Sequence, residues 1–189
     1  MAFDPDLMDP DEVPPLWRAL SARDFSRASQ LISEGASLDD LMEYNGNTFL
    51  HDAAQCGDLA MVDFFLKHPC PKSLETFDDI QQTPLIRAAA NGKADIVLRL
   101  LGAGVDPNAR DEQNIGNTAI REAVRSGHID IVAMLLHAGA DPTIPGWMAI
   151  SAVDQAWDKV SGSEAVVEEI RQLLSSFPSS LRASHQTGF

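Results

Sequence analysis

The stretch from Thr83 to Thr143 says nearly the same thing twice. TPLIRAAANGKADIVLRLLGAGVDPNARD runs from Thr83 to Asp111, and TAIREAVRSGHIDIVAMLLHAGADPTIPG runs from Thr118 to Gly146. Thr83 and Thr118 lie 35 residues apart, and the same offset relates Gly92 to Gly127, Ile96-Val97 to Ile131-Val132, and Asp106 to Asp141. Self-similarity at a period of roughly 20–50 residues marks stacked repeats, in which each unit buries its apolar face only against its neighbours.

Within one unit the residues read as two helices and a loop. Thr83 is a capping residue, and Pro84 suits the first helical position. Leu85, Ala88 and Ala89 recur at i, i+3 and i+4, the spacing of one helical face. Alanine there lets a neighbouring helix come close. Asn91-Gly92 ends the helix, because glycine takes a left-handed conformation without strain. Ile96, Val97, Leu100 and Leu101 form a second apolar face. Gly102 and Gly104 stop that helix, and Asp106-Pro107 begins a turn.

A TPLH-like opening, paired small core residues, a glycine, then DIV, LL and GADPN at fixed spacing resemble the ankyrin repeat. The resemblance implies an all-α solenoid of about five helix–turn–helix repeats with β-hairpin-like loops and a degenerate capping repeat at each end. The repeats are expected at about 14–46, 47–81, 82–116, 117–146 and 147–177. An acidic flexible tail, 1–13, precedes them, and a disordered tail, 178–189, follows. In the first repeat Arg23 stands where the glycine between the helices is expected. The second, NGNTFLHDAAQCGDLAMVDFFLKH, keeps the opening best, and the resemblance implies that His51 hydrogen-bonds between neighbouring loops. After Lys67 the pattern breaks into HPCPKSLETFDDIQQ, where Pro69 and Pro71 stop the helix. In the last repeat AVVEEIRQLLSSF reads as an amphipathic helix through Val166, Val167, Ile170, Leu173 and Leu174. Trp147 and Trp157 are expected to pack against the end of the core.

No catalytic pattern is present: no HExxH, no GxSxG and no GxxxxGK[ST]. Gly102-Ala103-Gly104 lacks the third glycine of a dinucleotide loop and follows a helix rather than a strand. His68 and Cys70 fall short of the four ligands of a structural zinc site. The formal net charge is −14, which opposes nonspecific binding to phosphate backbones. No run approaches the roughly 18 apolar residues of a membrane helix, and the start has neither the basic end nor the apolar core of a signal peptide. The chain is therefore expected to be cytoplasmic and soluble, and a monomer when free. It is expected to have no catalytic residue, cofactor or metal, and no nucleic-acid or membrane partner.

What remains is surface. The resemblance implies a concave face of loop fingers and first helices that binds a protein. The residues expected there are Asp39, Asp40, Glu43 and Tyr44, then Asp52, then Glu75, Phe77, Asp78, Asp79 and Arg87, then Asp111, Glu112 and Gln113. Tyr44 and Phe77 are the preferred anchors. Residues 1–82 hold sixteen acidic and five basic residues, a net of −11, whereas residues 83–189 hold twelve and nine, a net of −3. An acidic field so placed would steer a basic partner. The reading is a protein-binding and inhibitory module, of which a bacterial immunity (antitoxin) protein neutralising a basic toxin is one form. An adaptor or chaperone-like scaffold joining two proteins is the alternative.

Overall fold

The computed structural model describes residues 13–41, 48–68, 74–112, 116–158 and 160–176. Ten α-helices lie among them: α1 (Pro15–Ser21), α2 (Phe25–Ser33), α3 (Phe49–Cys56), α4 (Leu59–Lys67), α5 (Pro84–Ala90), α6 (Ala94–Gly102), α7 (Ala119–Ser126), α8 (Ile129–His137), α9 (Ala152–Asp158) and α10 (Glu164–Ser175). They form five antiparallel pairs in two layers. In one layer α3, α5, α7 and α9 pack side by side, and in the other α4, α6, α8 and α10 do. The described residues contain no strand, and the described parts of the connections between pairs are turns and short 3-10 segments rather than paired ribbons.

The period of the sequence becomes columns of buried atoms. Leu50, Leu85 and Ile120 are at most 1% exposed, and so are Val62, Val97 and Val132. Ala53, Ala88 and Ala123 form a third buried column that permits close helix approach. Burying each Leu or Ile stabilises by about 1.5–3 kcal/mol, so the columns hold the layers together. The first pair joins the rest through rings: Trp17 meets Phe49 at 5.6 Å between centroids, and Phe25 stacks on Phe64 at 5.2 Å. Val13, assigned to the tail by the sequence, is buried in this core.

Helix ends follow the expected chemistry. The hydroxyls of Thr48, Thr83 and Thr118 accept from the backbone N–H three residues on. Asp24 and Asp58 do the same for α2 and α4. Arg23, in the glycine's place, takes the left-handed conformation (φ 56°), and its guanidinium pairs with Asp58 of the next unit at 2.5 Å. The last unit departs from expectation. Met148 and Ala149 have φ of 62° and 56°, so Trp147–Ala149 forms only a 3-10 turn and the helix begins at Ala152. Ser151 and Asp154 cap it reciprocally, with Ser151 Oγ donating to the Asp154 carboxylate at 2.6 Å and accepting from the Asp154 N–H at 3.2 Å. These hydrogen bonds from Ser151 hold the Asp154 carboxyl below its ordinary value. Trp147 and Trp157 do not pack into the core as expected. They are 62% and 69% exposed.

Candidate functional site

From Glu75 onward the described turns between pairs lie side by side because each holds the next. The Glu75 carboxylate accepts from the Asp106 N–H at 3.2 Å. Asn108 donates to the Gly139 carbonyl at 3.2 Å and accepts from the Asp141 N–H at 2.7 Å. Arg110 donates to the Pro145 carbonyl, and Asn117 accepts from the Trp147 N–H at 3.1 Å. The result is a continuous edge of fingers along the first-helix layer.

The finger before α5 is built on Asp78. One carboxylate oxygen accepts from the N–H groups of Ile80 and Gln82, at 3.0 and 2.8 Å, which closes the turn. Gln81, at φ 62°, lets the chain reverse. The other oxygen takes Arg87 of α5, through Nε at 2.7 Å and Nη2 at 2.6 Å. Arg87 reaches back to α3, donating to Gln55 at 2.8 Å and lying 3.7 Å from the Asp52 carboxylate. One acidic side chain thus fixes the finger's shape and ties it to two first helices.

His51 supports the same finger from below. It is fully buried, and its Nε2 lies 3.1 Å from the carbonyls of both Thr76 and Gln82. Carbonyls only accept, so Nε2 carries the proton, and Nδ1 accepts from the Thr48 hydroxyl at 2.9 Å. This is the inter-loop role that the resemblance implies. Burial is the main cause that lowers the His51 pKa. Asp78 and the two carbonyls act the other way, while Arg87 adds to the lowering. The unfolded chain takes up this proton near the ordinary value of about 6.5, the folded chain only at lower pH. The stability held by neutral His51 is therefore fully present above about pH 6.5 and falls on acidification. Thermal melts from neutral to mildly acidic pH should show His51→Gln less stable than wild type at pH 7, with the gap narrowing as pH falls. Parallel curves would show that His51 does not titrate differently on folding.

The structure sorts the residues expected to contact a partner. Asp52, Glu75, Asp79 and Glu112 are exposed, Asp111 and Arg87 are partly exposed, and Asp78 is buried with its carboxylate engaged inside the chain. The expectation of an exposed Asp78-Asp79 pair is corrected: only Asp79 faces solvent. Phe77 packs against the core, and the apolar side chain that the finger offers is Ile80, 61% exposed. Glu43, Tyr44 and Gln113 lie outside the described residues, as do the side chains of Asp39 and Asp40. Glu122, at the helix position of Asp52 and Arg87 in the next unit, is buried against Asn117 and Arg125. Among the described residues no group of three His, Cys, Asp or Glu side chains is arranged to hold a metal ion, and no helix is long and apolar enough to cross a membrane.

Comparison with known proteins agrees with this architecture. Residues 68–145 match "Ankyrin repeats (3 copies)" and residues 45–74 match "Ankyrin repeat". The chain is also similar to the nuclear factor NF-kappa-B p105 subunit of Gallus gallus, with 32% identity over 107 residues. That match covers 56% of this chain and 11% of the relative, so the chain spans about a tenth of the relative's length.

Proposed function

We propose, on the premise that this chain belongs to the ankyrin repeat family, that it binds a basic partner protein along its finger edge and inhibits it by covering its surface. Ankyrin repeats are general protein–protein interaction modules. The observation that carries the finer reading is the exposure of Asp52, Glu75, Asp79 and Glu112, with Ile80 exposed next to Asp79 on a finger that Asp78, Arg87 and His51 hold in place. An exposed apolar side chain on an edge that also exposes carboxylates suits an anchor within a polar rim. A preformed edge loses little entropy on binding. The concrete form of the proposal is an immunity protein for a bacterial toxin with a basic surface.

The test is capture from the native host's lysate at low and moderate salt, followed by an activity assay on what is captured. Wild type should retain one basic protein, release it as salt rises, and inhibit it. Asp79→Lys with Glu112→Lys should lose capture at low salt. Glu164→Lys with Glu169→Lys, exposed on α10, should keep it. Because screening acts over a Debye length of about 10 Å at 0.1 M salt, a surface contact of this kind must weaken with salt. Equal loss from both pairs of reversals, or retention through high salt, would remove the finger edge as the binding surface. The adaptor reading needs a second surface, and the exposed Trp147 and Trp157 are the observation in its favour.

A further inference from the structure

At the C-terminal end arginines and uncovered aromatic rings come together. A cleft of about 770 Å³ opens between α7, the turn before α9, α9 and α10. Arg121, Arg125 and Arg171 line it together with Trp147, Met148 and Trp157, and no Asp or Glu is among its described lining residues. In a chain of net charge −14 this is a local concentration of positive charge. Trp147, Met148 and Trp157 are 62%, 67% and 69% exposed, an apolar group that the fold leaves uncovered.

Arg121 shows what the cleft lacks. It stands three residues after Thr118, where His51 follows Thr48 and Ile86 follows Thr83. His51 spends its ring N–H on carbonyls of the next finger. Arg121 finds no such pair, because the capping residues Thr118 and Ser151 are two residues closer than the repeat of 35 and the next turn is short. Gly146 lies against the Arg121 side chain, where an added Cβ would come within 3.3 Å of Cδ and Nη1. Nη1 donates to Asn117, and Nε is buried with no hydrogen-bond partner. A buried donor left unpaired is costly, and it adds to the positive charge behind the cleft wall. The other two arginines are partly engaged. Arg125 pairs with Glu122 at 2.6 Å. Arg171 donates to the Ala156 carbonyl at 3.0 Å, lies 3.9 Å from Glu168, and sits 4.4 Å from the Trp157 ring centroid. Both line the cleft together with the two tryptophans.

We infer that this cleft binds an acidic linear segment of a partner protein, one that sets an aromatic or aliphatic side chain between carboxylates. Guanidinium forks match carboxylates, and Trp with Arg is the composition of binding hot spots. A small anion would leave Trp147 and Met148 bare. A long polyanion would meet the repulsion of the whole acidic chain. The charged residues that line it are arginines, whereas the finger before α5 exposes carboxylates.

The probe is a labelled peptide with one central Leu or Trp flanked by Asp and Glu, titrated into the full chain at low salt and read by fluorescence anisotropy. Binding should require both features, so the Asn/Gln version and the version with a central Ser should each bind far more weakly. Trp147→Ala, Met148→Ala and Arg171→Gln should each weaken binding by about tenfold or more. These side chains are exposed or half-exposed, and unchanged melting curves will show that each variant is folded. Asp79→Lys should leave peptide binding intact, which separates this site from the finger edge. Failure of the acidic peptide to bind, equal binding of its amide version, or insensitivity to Trp147→Ala would overturn the proposal. So would binding that appears only after residues 177–189 are removed, which would assign the cleft to the chain's own end. Self-association lost in Trp147→Ala would assign it to a second copy.

Discussion

Gly127→Ala is expected to destabilise the chain by about 2–5 kcal/mol, the sum of a left-handed conformation for alanine (about 1–2) and overpacking (about 1–3). Gly127 has φ of 77°, and a Cβ added there would overlap the carbonyl oxygen of Ser161. That atom cannot step aside cheaply. It is backbone, and its own residue is held to the end of α7 by the Ser161 N–H donating to the Arg125 carbonyl at 2.9 Å. The segment leads directly into α10, whose first turn is capped by Ser163. Because a repeat contacts chiefly its neighbours, the damage should be local: amides of α9 and α10 should exchange early, and the melting temperature should fall by on the order of 10 °C. Two other glycines calibrate the effect. At Gly92, φ 69°, the added Cβ would come within 2.8 Å of His128 Cε1, a side chain that can rotate away. At Gly139, φ 90°, it would meet nothing within 4 Å. Denaturant unfolding should therefore rank the Ala variants Gly127, Gly92, Gly139 from most to least damaging. Equal losses would mean that backbone conformation alone sets the cost and that the Ser161 contact is soft.

What the sequence makes legible is what the repeat states locally. Thr83 and Thr118 cap, Gly92 and Gly127 reverse the chain, and Arg23 occupies a glycine's place and takes a glycine's φ. Each property belongs to a few consecutive residues. The misread residues depend on where a segment points. Trp147 and Trp157 are large and apolar, and composition assigns them to the core. The left-handed Met148 and Ala149 delay the start of α9, and both indoles end in solvent. Asp78 and Asp79 have the same chemistry and differ only in which side of a turn they occupy. Phe77, read as an exposed anchor, turns toward the core for the same reason. Arg121 left a signal that could have been read: it holds the position of the histidine in the TPLH-like opening. A charged group at a buried column must find a partner inside the chain or take one from outside.

Asp78 and Asp79 should therefore behave as opposites, although they adjoin. Asp78→Ala removes the buried half of an ion pair whose other half, Arg87, is itself only 11% exposed. Breaking such a pair costs about 3–5 kcal/mol. The lower end applies, since Arg87 keeps Gln55 at 2.8 Å and Asp52 at 3.7 Å. The same change strips the acceptor from the Ile80 and Gln82 N–H groups, so the finger should lose its fixed shape. Asp78→Asn keeps an oxygen for the turn but turns a neutral amide toward Arg87, and its cost should fall between wild type and Asp78→Ala. Asp79→Lys, on an exposed side chain, should stay within about 0.5 kcal/mol of wild type. Binding to a basic partner inverts the picture. Asp79→Lys should weaken it at low salt with no change in melting, whereas Asp78→Ala should weaken it through the disordered finger. Replacing Arg87 by Leu together with Asp78→Ala should recover part of the stability, because no unpaired buried charge remains, but none of the binding. If Asp78→Ala melts like wild type and still binds, backbone contacts alone hold the finger. The rigid edge on which the functional proposal stands would then need another cause.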